Sequence, residues 1–129
     1  MQSFRAAVES GDHDAVPALL ADDVVFVSPV AFKPYRGRAI TAAILRGASR
    51  VFEGFRYVRV IESADGRDHA LVFETAVGGK QVTGCDFLHL NEAGLIEEFM
   101  VMVRPLSGAQ ALAEAMAAQF ARIEAEATA

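Results

Sequence analysis

The chain has no tryptophan, one cysteine and fewer cationic than anionic side chains. Each shortage removes a class of function. A single thiol, Cys85, excludes an internal disulfide and a thiolate-rich metal site. Its place inside a strand pattern reads as a small buried hydrophobe rather than a nucleophile. Lys and Arg number 12 against 17 Asp and Glu, for a formal charge of −5. Nothing resembles the basic stripe a phosphate backbone requires, so nucleic acid is not an expected partner. No apolar run approaches the roughly 18 residues that span a bilayer, so no membrane partner is expected either. The N-terminal stretch lacks the basic start, apolar centre and small-residue cleavage site of a secretory signal, which makes a cytoplasmic location the default expectation.

Metal and nucleotide signatures are missing too. His13, His69 and His89 have no ligand spacing among themselves, and there is no HxH, HExxH or DxD cluster. His13 and His69 sit beside a helix cap and a turn and read as exposed. No phosphate-cradling glycine pattern occurs, so no metal or cofactor is expected. Gly37 in YRGR reads as a tight turn. Arg36 and Arg38 beside it read as solvated arginines, or as a rim clamp for a ligand carboxylate.

What is present is an ordinary globular composition, 53% hydrophobic and 22% charged, over 129 residues. That suffices for one core, and residues 1–129 are expected to form a single domain. SFRAAVES places Phe4, Ala7 and Val8 on one helical face, and Gly11 ends that helix. Asp12 then reads as the N-cap of a second short helix carrying Pro17 in its first turns and burying Val16, Leu19 and Leu20. Asp22-Asp23 breaks it, and Val24 to Ser28 is a β-branched and aromatic strand stopped by Pro29. The following VAFKPYRGR is a loop, and ITAAILRGASRVF is a helix weakened in its middle by Gly47.

From Phe55 the hydrophobic period becomes two. Four strands follow, separated by Ala64-Asp65-Gly66, Gly78-Gly79 and Asn91-Glu92-Ala93-Gly94. The alanine-rich tail after Pro105 is helical and carries Phe120 and Ile123, which imply that it docks on the body or on a partner. Segregated helices and antiparallel strands define an α+β fold.

The two hairpins allow the sheet faces to be worked out. A two-residue loop at Gly78-Gly79 sets Leu71 opposite Asp86, and a four-residue loop at Asn91 to Gly94 sets Asp86 opposite Phe99. Asp86 then shares one face with Leu71, Phe73, Val82, Leu88, Leu90, Phe99 and Val101. A carboxyl group in an apolar surface loses the water that stabilises its anion, so Asp86 is expected to stay protonated near neutral pH and to serve as a hydrogen-bond donor or acid. The alternatives are an Asp satisfied by a backbone N–H or an arginine, or one turned outward by a one-residue slip. The opposite face carries Glu74, Cys85, Phe87, His89, Met100 and Met102. This mixture suits a subunit interface, with Glu74 and His89 as interface or surface groups.

The run AAVESGDHDAVPALLADDVVFVSP resembles the opening of ketosteroid isomerases and other nuclear transport factor 2-like domains, polyketide cyclases included. YRGRAITAAIL and GCDFLHLNEAGLIEEFMVMV are similar to the same family's loop-plus-helix and last two strands. The resemblance implies a cone-shaped α+β barrel with helices packed on a curved antiparallel sheet. Isomerases of the family use an aspartate base at the end of the first strand, with a tyrosine and a protonated aspartic acid as oxyanion hole. The resemblance places the aspartic acid on Asp86, the base on Ser28 and the tyrosine on Phe4. A serine hydroxyl is a poor base without a partner, and Phe4 has no donor, so isomerisation by those three groups is not expected.

The expectation is a small-molecule pocket protein. As an enzyme of the isomerase, dehydratase or cyclase kind it uses Asp86 as acid or hydrogen-bond donor and Ser28 as positioning group, on a lipophilic carbonyl ligand. Phe26, Phe32, Phe52, Phe55, Phe73, Phe99 and Val101 form the wall with Phe4 and Leu88, and Glu97 and Tyr35 are candidates for a base or for rim and wall. The alternative is a non-catalytic lipophilic-ligand-binding or accessory protein of the same fold. In either case a homodimer through the outer sheet face is expected.

Overall fold

The computed structural model describes residues 2–129. Helix α1 (Gln2–Ser10) is followed by two short 3-10 turns, strand β1 (Leu20–Val27) and a two-residue strand β2 (Tyr35–Arg36). Helix α2 (Arg38–Val51) leads into four long strands, β3 (Glu53–Glu62), β4 (Asp68–Val77), β5 (Lys80–Leu90) and β6 (Ile96–Arg104), and helix α3 (Leu106–Ala127) closes the chain. The six strands form one curved, unclosed sheet in the order β2-β1-β6-β5-β4-β3.

The expected fold class holds, with one correction. The sheet is mixed, because β1 runs parallel to β6. The meander contributes only antiparallel pairs, and α2 and four strands separate β1 from its parallel neighbour in the chain. The expected second helix is also replaced by the 3-10 turns His13–Ala15 and Pro17–Leu19, and Asp12 makes no side-chain cap. The reason lies in where the apolar residues go. Leu20 and Ala21 are buried as the first residues of β1, not as the end of a helix. Asp22 and Asp23 do not break a helix. They lie in a bulge of β1, between Leu20 paired with Ile96 and Val25 paired with Glu98, and both stay exposed. Arg38 of α2 pins this bulge, donating from Nε to the Leu20 carbonyl at 3.1 Å and pairing with Asp22 at 2.8 Å. It is therefore a structural clamp rather than a ligand rim.

The β4–β5 hairpin has the expected register. Val77 pairs with Lys80 and Leu71 with Asp86. Gly78 and Gly79 both have positive φ, 56° and 80°, which is the backbone a two-residue hairpin turn demands. The β5–β6 register differs. A shift between His89 and Leu90 sets Asp86 opposite Val101 and Leu88 opposite Phe99. The displacement is two residues, and the side-chain period of a strand is two, so the faces are unchanged. Asp86 remains on the concave, helix-covered face.

Two glycines allow the close approaches that shape that face. A methyl on Gly84 would run into the Phe73 ring on the neighbouring strand, so glycine there lets the ring lie against the sheet. A methyl on Gly47 would stand 2.6 Å from Ile123 Cδ1. The glycine expected to weaken α2 is what lets α3 pack on it. Arg50 completes this contact by donating to Gln119 and Glu126, both at 2.8 Å. Phe120 and Ile123 thus dock on the body of the same chain, with Ile123 fully buried.

Candidate functional site

Between the helices and the concave face lies a cavity of about 700 Å³. Its floor is sheet, its sides are α1, α2 and α3, and the segment after β1 forms part of its mouth. Phe52, Phe55 and Phe73 make a continuous aromatic wall, with ring centroids 4.8 Å apart for Phe55 and Phe73 and 5.4 Å for Phe52 and Phe55. Phe4 lies edge-on to Phe99 at 5.5 Å, and Phe26 tilts against Phe99 at 5.3 Å. These contacts tie α1 and β1 to the sheet at the opposite wall. Tyr35 meets Phe120 of α3 at 5.9 Å.

Into this apolar chamber projects one buried carboxyl group, Asp86, 6% exposed. The Tyr57 hydroxyl, itself on a buried side chain of β3, donates to Asp86 Oδ2 at 2.6 Å. The other carboxyl oxygen makes no hydrogen bond to another described residue. Burial pushes the Asp86 acid up to about 7, while the Tyr57 hydrogen bond favours the anion and opposes the rise. Burial, then the Asp86 charge and the bond to it, holds the Tyr57 proton far above the usual phenol range. The pair therefore titrates at the carboxyl group. At neutral pH a large share of the molecules present a neutral acid in the cavity, able to donate from its free oxygen, with Tyr57 fixing its orientation.

Ser28 also lines the cavity, at its mouth. Its Oγ accepts from the backbone N–H of Val30 at 3.1 Å and of Ala31 at 3.3 Å, which turns the chain after Pro29. Those bonds use its acceptor capacity and leave its proton, so Ser28 can donate to a ligand but is not arranged as a base.

The cavity also gathers Phe4, Phe26, Tyr35, Phe52, Phe55, Phe73, Phe99 and Val101 from among the residues expected on sequence grounds. Three others do not join it. Phe32 is 99% exposed on the loop after β1. The turn built on Ser28 carries it outward. Leu88 is buried in the core opposite Phe99, further along β5 than the cavity reaches. Glu97 falls in the β5–β6 register shift, which directs it to the outer side, 3.4 Å from His89 Nε2 and 4.0 Å from Arg67. It is no candidate for a base in the cavity. His69 is buried rather than exposed, with its Nε2 2.9 Å from the Gly66 carbonyl oxygen.

Sequence reasoning missed Tyr57 and the Glu9 carboxylate on the α1 side of the cavity. The alternation Phe55, Tyr57 was a usable signal for Tyr57, since it puts both on the face of the aromatic wall. The convex side of the sheet carries a band formed by Ile61, Ala70, Phe87, Met100 and Val27, adjacent to one another across β3, β4, β5, β6 and β1. Ile61 is 57% exposed and Phe87 37%. Cys85 is on this convex face and only partly buried, rather than a core hydrophobe. Asp68 lies beside the band and holds His89 Nδ1 at 2.6 Å.

Comparison with known proteins accords with this geometry. Residues 1–99 match the model of the SnoaL-like domain. The chain belongs to that family, within the nuclear transport factor 2-like superfamily. It is similar to a crystal structure of a steroid delta-isomerase from Pseudomonas aeruginosa, with 41% identity, 95% of this chain and 89% of that one covered, and a TM-score of 0.89. An uncharacterised bacterial protein with a cystatin-like fold from Silicibacter pomeroyi is similar at 38% identity, covering 97% and 89% of the two chains, with a TM-score of 0.89. A putative polyketide cyclase from Pseudomonas putida shares the fold at 21% identity, 83% and 90% coverage and a TM-score of 0.67. No curated protein matches the chain significantly. Among the described residues no helix is long and apolar enough to cross a membrane.

Proposed function

We propose that this SnoaL-like domain binds a flat, mostly apolar, carbonyl-bearing molecule in the cavity and acts on it as an isomerase, dehydratase or cyclase. Asp86 is the group that touches the carbonyl oxygen, donating a hydrogen bond or its proton while negative charge develops there. The observation that carries this reading is the buried Asp86 carboxyl group, bonded by Tyr57 at 2.6 Å within an otherwise apolar chamber. A neutral acid in a water-poor site stabilises a developing oxyanion far better than a solvated one does. Tyr57 holds the carboxyl rotamer, the aromatic wall of Phe52, Phe55 and Phe73 fits a flat ligand, and Ser28 offers a hydroxyl proton at the mouth. The name of the 41%-identical neighbour, a steroid delta-isomerase, agrees with this class. The base and tyrosine that the family resemblance implies for isomerases fall on Ser28 and Phe4 here, so the reaction does not proceed by those three groups.

The test is a panel of lipophilic β,γ-unsaturated ketones and β-hydroxyketones. Replacing Asp86 by Ala should lower turnover by about 100-fold or more, the usual effect of removing an oxyanion donor. Turnover retained in Asp86→Ala contradicts the proposal. A second reading, a binding protein without turnover, rests on Ser28 and Phe4 standing where a base and a donor would. It requires micromolar binding across the panel, no product, and binding that survives Asp86→Ala. In both readings the convex band is the surface of a homodimer.

A further inference from the structure

The proposed reaction lacks a base. Ser28 is spent on its turn, Glu97 lies on the other side of the sheet, and Asp86 is the acid. Of the other polar groups around the cavity, Ser10 donates to the Ala7 carbonyl and Ser49 to that of Arg46. A phenol serves as a hydrogen-bond donor, which leaves Tyr35 and Tyr57 aside. His13 and Glu9 remain, both on the wall contributed by the N-terminal segment.

Three observations favour Glu9. Glu9 lines the same cavity as Asp86. Its negative charge is among the influences that hold the Tyr57 phenol proton in place. Arg5, one helical turn earlier, donates from Nε to Glu9 Oε1 at 3.0 Å and leaves Oε2 without a hydrogen-bond partner among the described residues. Helix α1 itself is anchored by the fully buried Phe4 against Phe99, which fixes the backbone that carries the exposed Glu9.

We infer that Glu9 is the catalytic base of this site, removing a proton from the carbon next to the ligand carbonyl while Asp86 holds the oxygen. This rests on the carbonyl-activating reading of Asp86. The C–H bond breaks and its electron pair becomes the C=C bond of an enol. The carbonyl π pair moves onto the oxygen, which takes a hydrogen bond or the proton from Asp86. Glu9, now neutral, returns its proton to the same carbon or to the far carbon of a conjugated system, and Asp86 recovers its own. The net change is exchange or isomerisation, with no co-reactant. Two carboxyl groups thus divide the work by environment, the buried one as acid and the exposed, arginine-held one as base.

The step can be observed without knowing the physiological substrate. 2-Tetralone in D₂O exchanges its α-protons for deuterium only when a base removes them, and proton NMR follows the loss of signal. The expected result is enzyme-accelerated exchange that falls by about 100-fold in Glu9→Gln. Affinity for the ketone and the melting curve should stay unchanged, with partial recovery in Glu9→Asp. If Glu9→Gln exchanges at the wild-type rate while Asp86→Asn does not, the base is elsewhere and only this inference falls. If the wild type binds the ketone and exchanges nothing, the carbonyl-activating reading falls with it.

Discussion

The two faces of the same sheet carry chemistry of opposite kinds. On the concave side one acid, Asp86, is isolated among aromatic and aliphatic groups, and its carboxyl group has a single hydrogen-bond partner among the described residues, Tyr57. On the convex side acids are plentiful but each is near water or a cation. Asp68 bonds His89, Glu97 lies between His89 and Arg67, and Glu74 pairs with Arg56 at 3.4 Å. Burial raises the acid on the first face to about 7, whereas on the second the bond to Asp68 is the main cause that raises His89 and favours its charged form. Strand alternation alone separates them, since Phe87 and Asp86 are neighbours in sequence and face opposite ways. A carboxyl group acquires its environment here by where the pleat sends it, not by its local sequence.

The largest effect that can break this contrast is on stability against pH. The folded chain holds the Asp86 proton up to about 7, while an unfolded chain releases it near 3.8. Between those values the native state binds more protons, so unfolding free energy falls as pH rises, and the loss is complete above the folded value. A difference of about three units corresponds to a loss of about 4 kcal/mol from this group. Asp86→Asn, which imitates the neutral acid, should remove that loss. Urea denaturation between pH 4 and pH 9 checks it: the wild type should lose stability relative to the variant, and parallel curves contradict the account. No surface acid should behave this way, because solvated pairs contribute little.

A smaller effect is expected on the other face. Phe87→Glu puts a charge in the centre of the convex band. It should weaken a homodimer by about 10- to 100-fold, in line with the loss of a central interface residue, and leave ligand binding in the cavity unchanged. Light scattering at micromolar concentration reads the mass. A wild-type monomer removes the interface from the comparison, and a dimer unaffected by the variant moves it to another surface.

Much of this contrast was legible in the residues. The Gly78-Gly79 turn fixed the β4–β5 register, and Asp86 was assigned to the correct face even though its β6 partner is Val101 rather than Phe99. The error was harmless because it was two residues long; an error of one would have turned Asp86 outward. The same shift was not harmless for Glu97, which lies inside it. Alternation puts Tyr57 on the inner face with Phe55, but β3 slips twice against β4, between Glu53 and Arg56 and between Tyr57 and Arg59, so its place beside Asp86 did not follow from a turn count. The parallel β1–β6 pairing and the conversion of Leu20 and Ala21 from helix to strand depend on contacts distant in sequence, which local propensity does not encode. Phe32 was assigned by its hydrophobicity, while its position was decided by the two backbone bonds to Ser28.

The central claim is that burial on the concave face lets Asp86 keep its proton up to about neutral pH. Carbon-13 NMR of the Asp86 carboxyl, assigned by its loss in Asp86→Asn, measures this directly. The account predicts a titration near 7, moving higher still in Tyr57→Phe once the hydrogen bond that favours the anion is gone. A midpoint near or below 3.8, the value of an unburied aspartate, would contradict it.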